Sequence, residues 1–165
     1  MKFFVDTFSW KKIDILQESG LVDIDSVYAR VKICITHAVL GEIKHFQLKS
    51  CQVEKTEILP PRSNKIYEAA LALQFDDADA SMLSHGFDDD DTYIISEDRP
   101  LLTYGKIFGI KIVQLVDFMQ VLTVLNAISK NSLYQVNKKL RELKNISKKK
   151  EDTVKEWLRT FKGTT

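Results

Sequence analysis

Residues 92–117 read TYIISEDRPLLTYGKIFGIKIVQLVD, and the order of patterns in this stretch decides the fold. The apolar run 92–96 predicts a buried strand, the segment from Leu101 to Phe108 predicts a helix, and Lys111 to Leu115 predicts another strand. A strand, a helix and a strand in succession are typical of a parallel sheet covered by helices. Asp98 follows just beyond the first of these strands.

The same alternation begins at the N-terminus. Lys2 to Val5 predicts a short buried strand, Asp6 follows at its carboxyl end, and a helix continues through Leu16. Because strands and helices alternate along the chain, the sequence predicts an α/β fold of three layers, α/β/α, with a mainly parallel central sheet. Ligands usually bind beyond the carboxyl ends of such strands, so Asp6 and Asp98 are expected at one edge of the sheet.

A third acid falls within a long helical pattern. Apolar residues recur at helical spacing after Asp25 or Ser26, either of which can begin the helix, and they end at Phe46. These residues are Val31, Cys34, Ile35, Ala38, Val39 and Ile43. Glu42 lies four residues from both Ala38 and Phe46, which places its carboxylate on the inward face.

A fourth acid, Asp79, is predicted in the first turn of a helix from about Ala78 to Ser84 that Gly86 closes. A carboxylate in that turn is favoured by the helix dipole. Asp76 and Asp77 lie just before it, and either of them could supply the same carboxylate.

Each of the four acids also has a purely structural explanation. Asp6 could cap the helix after it, Glu42 could form a salt bridge, and Asp79 could be an ordinary acid of a first helical turn. Asp98 could lie in a turn before Pro100. Lone carboxylates beside apolar runs are nevertheless costly to bury, and a shared divalent cation would remove that cost.

Five pieces of the chain together resemble the PIN-domain ribonuclease family, which includes the VapC-type toxins of toxin–antitoxin pairs. In chain order they are FFVDTF (3–8), ITHAVLGEIKHF (35–46), ADASMLSHGF (78–87), IISED (94–98) and GIKIVQLVDF (109–118). The resemblance covers roughly residues 2 to 118. It implies a PIN-like fold and a metal-dependent endoribonuclease that hydrolyses RNA phosphodiester bonds.

The resemblance also implies the roles of particular residues. Mg²⁺ or Mn²⁺ would be held by the four residues that are also catalytic, Asp6, Glu42, Asp79 and Asp98. Thr7 and Ser96 match hydroxyl positions that orient a water or a carboxylate in the family. RNA is the expected partner, with an antitoxin protein and a second copy of the chain as further partners. The alternative is a PIN-like module that has lost catalysis and binds RNA or acts as a scaffold.

Charge divides the chain into residues 1–125, with a net charge of −6, and residues 126–165, with a net charge of +7. We therefore predict a nuclease domain followed by a basic helical extension. Apolar stripes in the extension must pack on the domain or on a partner, and Ser132 can begin its first helix. The basic side chains of that helix are predicted to bind RNA phosphates: Lys138, Lys139, Arg141 and Lys144.

Other classes of protein are excluded by what the sequence lacks. It has no P-loop, GxGxxG, HExxH or GxSxG motif, and Cys34 and Cys51 have no metal-site spacing. No apolar run approaches the roughly 20 residues of a membrane span, and residues 1–8 do not form a signal peptide, so a cytoplasmic location is expected. The acidic run 88–91 is read as a solvated loop.

Overall fold

The computed structural model describes residues 1–62, 64–87 and 89–162. Ser63, a candidate start for the helix that follows it, Asp88 of the acidic run and residues 163–165 of the extension lie outside these ranges. The strands are β1 (Lys2–Val5), β2 (Lys32–Thr36), β3 (Glu57–Leu59), β4 (Thr92–Ile95) and β5 (Ile112–Val113). No helix within the described ranges is long and apolar enough to cross a membrane.

The helices of the described residues alternate with these strands. Before β4 they are α1 (Thr7–Glu18), α2 (Ile24–Tyr28), α3 (His37–Phe46), α4 (Lys65–Ala72) and α5 (Asp77–Phe87). After β4 they are α6 (Arg99–Phe108), α7 (Leu115–Val124), α8 (Lys130–Glu142) and α9 (Lys148–Thr160). A short 3₁₀ helix, Val53–Lys55, precedes β3.

The five strands form one sheet in the order β3-β2-β1-β4-β5, and every pair is parallel. Strand β1 lies at the centre, where Phe4 pairs with Cys34 of β2 on one side and with Ile94 of β4 on the other. Parallel strands are buried on both faces, which explains the almost unbroken apolar runs of β1 and β4. The predicted three-layer α/β/α class with a mainly parallel sheet is confirmed.

The predicted long helix from Asp25 or Ser26 to Phe46 is wrong. The chain forms the short helix α2, then the strand β2, and only then α3. A short buried apolar run fits helical and strand spacing equally well, and the β-branched residues Ile33, Ile35 and Thr36 favour the strand. Glu42 is therefore carried by a helix that begins directly after β2, capped by the Thr36 hydroxyl.

Gly86 does not close α5 as predicted, because the helix continues to Phe87. Its role is close packing: a Cβ added at Gly86 would lie 2.6 Å from Cγ2 of Ile110. The absence of a side chain lets α5 approach the segment before β5, which fixes the direction of the helix that carries Asp79.

The basic extension packs on residues 1–125. Leu133, Val136, Leu140 and Val154 are fully buried in the same core as β1 and β4. An ion pair of 2.6 Å between Lys150 Nζ and Asp117 Oδ1 joins α9 to α7. The first helix begins earlier than predicted, because Ser129 is its cap and accepts a hydrogen bond from the Ser132 backbone.

Candidate acidic active site

The carboxyl edge of the sheet brings the four predicted acids around one cavity. Asp6 follows β1 directly, and Asp98 comes shortly after β4, the neighbouring strand. Glu42 is on α3, which leaves the end of β2, and Asp79 is in the first turn of α5. All four line a small cavity of about 110 Å³. Acids that are far apart in the sequence therefore meet at one place.

Asp6 and Asp98 each combine this position with a helix cap. Asp6 Oδ1 accepts a hydrogen bond of 2.5 Å from the Ser9 backbone at the start of α1. Asp98 Oδ1 accepts one of 3.4 Å from the Leu101 backbone at the start of α6. The capping explanation of Asp6 is thus correct, and it coexists with the cavity position, since a carboxylate has two oxygens.

Asp6 is 6% exposed, and burial raises the pKa of its carboxyl group. Hydrogen bonds from Ser9 and from the Ser96 side chain act in the opposite direction, because they favour the charged form. Burying an acid without a basic partner is costly. Within the described residues, a charge at this position is therefore stabilised by hydrogen bonds and not by an ion pair.

Asp79 shows the mutual repulsion of the acids most clearly. Its pKa is raised from 3.8 to about 7, first by burial and then by the negative charges of Asp76, Asp6, Asp98 and Glu42. Each of the other acids at the cavity contributes to the shift. Near neutral pH the negative charges at the cavity therefore disfavour one another. A bound cation would relieve this repulsion.

The choice among the three neighbouring acids 76, 77 and 79 is partly resolved. Asp76 lines the cavity together with Asp79, and its Oδ1 accepts a hydrogen bond of 2.8 Å from the Asp79 backbone. Asp77 instead accepts a hydrogen bond of 2.6 Å from the Tyr67 hydroxyl of α4. Asp76 is therefore a fifth cavity acid beside Asp79, whereas Asp77 joins two helices.

The two predicted hydroxyl residues both contact cavity acids. The Thr7 hydroxyl donates a hydrogen bond to Glu42 Oε2. Ser96 is fully buried, hydrogen bonds with Asp6, and its Oγ accepts a hydrogen bond of 3.1 Å from the Asp98 backbone. Both residues therefore hold carboxylates in place.

A second, larger cavity of about 430 Å³ opens beside the first and was not foreseen from the sequence. Asp6, Phe8 and Asp98 line both cavities. The chain turns at Lys144, whose φ is 56°, and this turn between α8 and α9 supplies one wall of the larger cavity. The basic extension thus reaches the acids.

Glu97 also lines the larger cavity, although only its neighbour Asp98 was predicted as a site residue. Burial raises the pKa of Glu97, while its carboxylate accepts hydrogen bonds of 2.8 Å from the Leu115 backbone and from the Gln114 side chain. Glu97 thereby fixes the start of α7. The sequence did contain a signal for Glu97, because it is the first of two consecutive acids that follow a predicted strand.

The four predicted RNA-binding residues differ in their surroundings. Arg141 pairs with Glu151 at 3.9 Å, and Lys139 pairs with Glu142 at 4.0 Å. Lys138 is exposed, and of the four only Lys144 lines a cavity with the acids. Lys12 and Arg99 line the same cavity, so the cations nearest the acids come from three parts of the chain.

A hard divalent cation fits these side chains in donor type and in charge. All five acids offer carboxylate oxygens, which Mg²⁺ and Mn²⁺ prefer, and the pKa of Asp79 is raised by its burial and, after that, by the neighbouring negative charges. Within the described residues, however, no group of three or more His, Cys, Asp or Glu side chains is arranged so that it could hold a metal ion. The carboxylates would have to turn towards the ion.

Comparisons with protein-family models, with curated proteins and with solved structures found no match for this chain. The resemblance to PIN-domain ribonucleases therefore stays a prediction. The roles of individual residues must therefore be argued from the geometry of the two cavities.

Proposed function

We propose that this protein is a metal-dependent ribonuclease of the PIN type. The observation that carries the proposal is the meeting of Asp6, Glu42, Asp79 and Asp98 at one cavity beyond the carboxyl ends of a parallel sheet. Ligands bind at this edge in open α/β sheets, and hard cations take carboxylate ligands there. The raised pKa of Asp79, caused by burial and by the acids around it, agrees with this arrangement.

The four acids would hold Mg²⁺ or Mn²⁺, with Asp76 close enough to replace or assist Asp79. Bound there, the cation would polarise a phosphoryl oxygen and favour ionisation of the attacking water. Thr7 and Ser96 keep Glu42, Asp6 and Asp98 in place through their hydrogen bonds. Such positioning matters because small displacements of catalytic groups lower the reaction rate strongly.

The larger cavity offers room for the RNA strand beside the acids. Its cations, Lys12, Arg99 and Lys144, would offset the repulsion between phosphates and carboxylates. The basic extension therefore serves the domain by completing the substrate cavity. The broader basic face predicted from the sequence stays a prediction.

Replacing Lys144 by Ala is expected to weaken binding of single-stranded RNA about threefold to tenfold at low salt. Loss of one phosphate contact should also reduce the slope of log K against log salt by about 0.7. Fluorescence anisotropy with labelled RNA in EDTA measures both quantities without cleavage. Lys106→Ala, which changes an exposed cation at the end of α6, is the control and should change neither. Equal effects of both variants would contradict a local role for Lys144.

The direct test of the proposed function is RNA cleavage by the purified protein. Labelled single-stranded RNA should be cut in the presence of Mn²⁺ or Mg²⁺, and addition of EDTA should stop the reaction. Mn²⁺ should also raise the melting temperature of chelated protein, because a ligand that binds only the native state stabilises it. Asp6→Asn, which keeps a capping side chain, should weaken that thermal response.

The second candidate is an RNA-binding or scaffolding module without catalysis. The absence of a ready group of three metal-binding side chains in the described residues favours it. Tight RNA binding with no cleavage at any Mn²⁺ or Mg²⁺ concentration, and no thermal response to either ion, would establish this alternative and end the ribonuclease proposal.

A further inference from the structure

One large aromatic side chain stands exposed at the rim of the acids. Phe8 is 69% exposed although its neighbours in the chain, Thr7 and Ser9, are 5% and 0% exposed. It follows Asp6 by two residues and lies in the first turn of α1. Its side chain lines the small acid cavity and the larger cavity beside it. An exposed Phe at such a place contributes little to the core.

A second exposed aromatic ring lies close by and shares a cation with Phe8. Lys11 Nζ is 4.7 Å from the centroid of the Phe8 ring and 3.3 Å from that of Phe46, which is 47% exposed. Attraction between the ammonium group and the two ring faces holds the three side chains in a row. The row extends the acid cavity with a surface that combines flat apolar rings and positive charge.

We propose that Phe8 is the stacking platform for one unpaired base of the RNA strand whose phosphate enters the acid cavity. The inference rests on the proposed ribonuclease function and adds the substrate class, because a base inside a duplex is not available for such stacking. Aromatic rings beside a positively charged groove are the usual means of binding single strands without sequence preference.

Charge favours a nucleic acid over an apolar peptide as the occupant. Lys11 lies beside the Phe8 ring. The larger cavity that Phe8 also lines holds the cations Lys12, Arg99 and Lys144 together with three acids, so it is the cations that favour a phosphate there. A polyanion neutralises these cations, whereas an apolar segment would cover them without compensation. Phe8 is at the point where the acid cavity meets the larger cavity that holds these cations.

The experiment uses a single-stranded RNA that carries one 2-aminopurine base, whose fluorescence is quenched when it stacks on an aromatic ring. In EDTA, wild-type protein should quench the probe at one position of the strand and bind it. Phe8→Ala should remove that quenching and weaken binding about tenfold, while Phe8→Trp should retain both. An RNA that lacks the base at this position should bind wild type and Phe8→Ala equally.

Phe87→Ala is the matched control, because Phe87 is 48% exposed at the far end of α5. At 1.5 Å per residue it lies about 12 Å along the helix from Asp79. Equal quenching and affinity of wild type and Phe8→Ala would overturn the stacking role while leaving the ribonuclease proposal intact. Wild type that binds no single-stranded RNA, or that prefers duplex RNA, would overturn the stacking role. The ribonuclease proposal would fall with it only if wild type also cleaves no RNA in the presence of Mn²⁺.

Discussion

An Asp98→Asn variant is expected to lose at least about a hundredfold of the metal-dependent cleavage rate while it keeps the fold. Asn caps a helix as well as Asp does, so the hydrogen bond to the Leu101 backbone at the start of α6 is retained. What disappears is one negative charge at the acid cavity. Residues that merely support metal ligands typically cost tenfold to a hundredfold when changed, and a ligand itself should cost more. Initial rates with labelled RNA and saturating Mn²⁺ measure the effect.

The control for Asp98→Asn is Asp90→Asn, which removes a fully exposed carboxylate that makes a long surface pair with Lys111. Such pairs contribute little to stability, so this variant should cleave RNA at the wild-type rate. Circular dichroism and the melting temperature show whether both variants are folded. Cleavage by folded Asp98→Asn at the wild-type rate would mean that the acid cavity is not the catalytic site.

The positions of Asp6 and Asp98 were predictable because the argument needed only the ends of two strands. Residues at the carboxyl ends of parallel strands meet whatever the lengths of the connections between them. Beyond their first residues, Lys2 and Thr92, the β1 and β4 runs consist of apolar and aromatic side chains, which is the pattern of buried parallel strands. Local pattern was enough in both cases.

The position of Glu42 was predicted for the wrong reason. The segment from Asp25 or Ser26 to Phe46 was predicted to be one helix, yet it forms α2, β2 and α3. Glu42 still reaches the cavity because α3 starts at the end of β2, at the same edge of the sheet as Asp6. Sequence spacing alone cannot separate a short buried strand from part of a buried helix.

The contribution of the extension could not be derived from local sequence. Its charge suggested RNA, but only tertiary packing decides which cations remain available. Arg141 and Lys139 are engaged by acids of the extension itself, whereas the turn at Lys144 reaches the larger cavity. The exposure of Phe8 is likewise decided by tertiary packing. From sequence, an aromatic residue within an apolar pattern is normally interpreted as part of the core.

Asp79→Asn is expected to stabilise the metal-free protein at pH 8 and to have little effect near pH 4. The pKa of Asp79 is about 7 in the folded protein and 3.8 ordinarily, so the native state binds the proton more tightly than the unfolded state. Stability attributable to this group is therefore present below about pH 4 and falls as the pH rises to about 7. Asn carries no charge at any pH, so the variant does not lose this stability as the pH rises.

A shift of about three pKa units corresponds to about 4 kcal/mol, and partial solvent access to Asp79 reduces the expected effect to about 2 kcal/mol. Loss of the favourable interaction with the α5 dipole subtracts up to about 1 kcal/mol. The melting temperature at pH 8 should thus rise by about 2 to 8 °C in EDTA. Mn²⁺ should stabilise wild type more than the variant, because the ion relieves the same repulsion.

Asp77→Asn is the matched control, since Asp77 lies in the same first turn of α5 and bonds with Tyr67 outside the cavity. Like Asp79, it interacts with the dipole of α5, but it does not line the cavity with the other acids. We expect a small loss of stability that is similar at pH 8 and pH 5, whereas the effect of Asp79→Asn should grow as the pH rises between these values. Asp79→Asn with the same pH-independent loss would show that neither burial nor the neighbouring acids raise the pKa of Asp79, and the case for a cation at this cavity would lose its electrostatic basis.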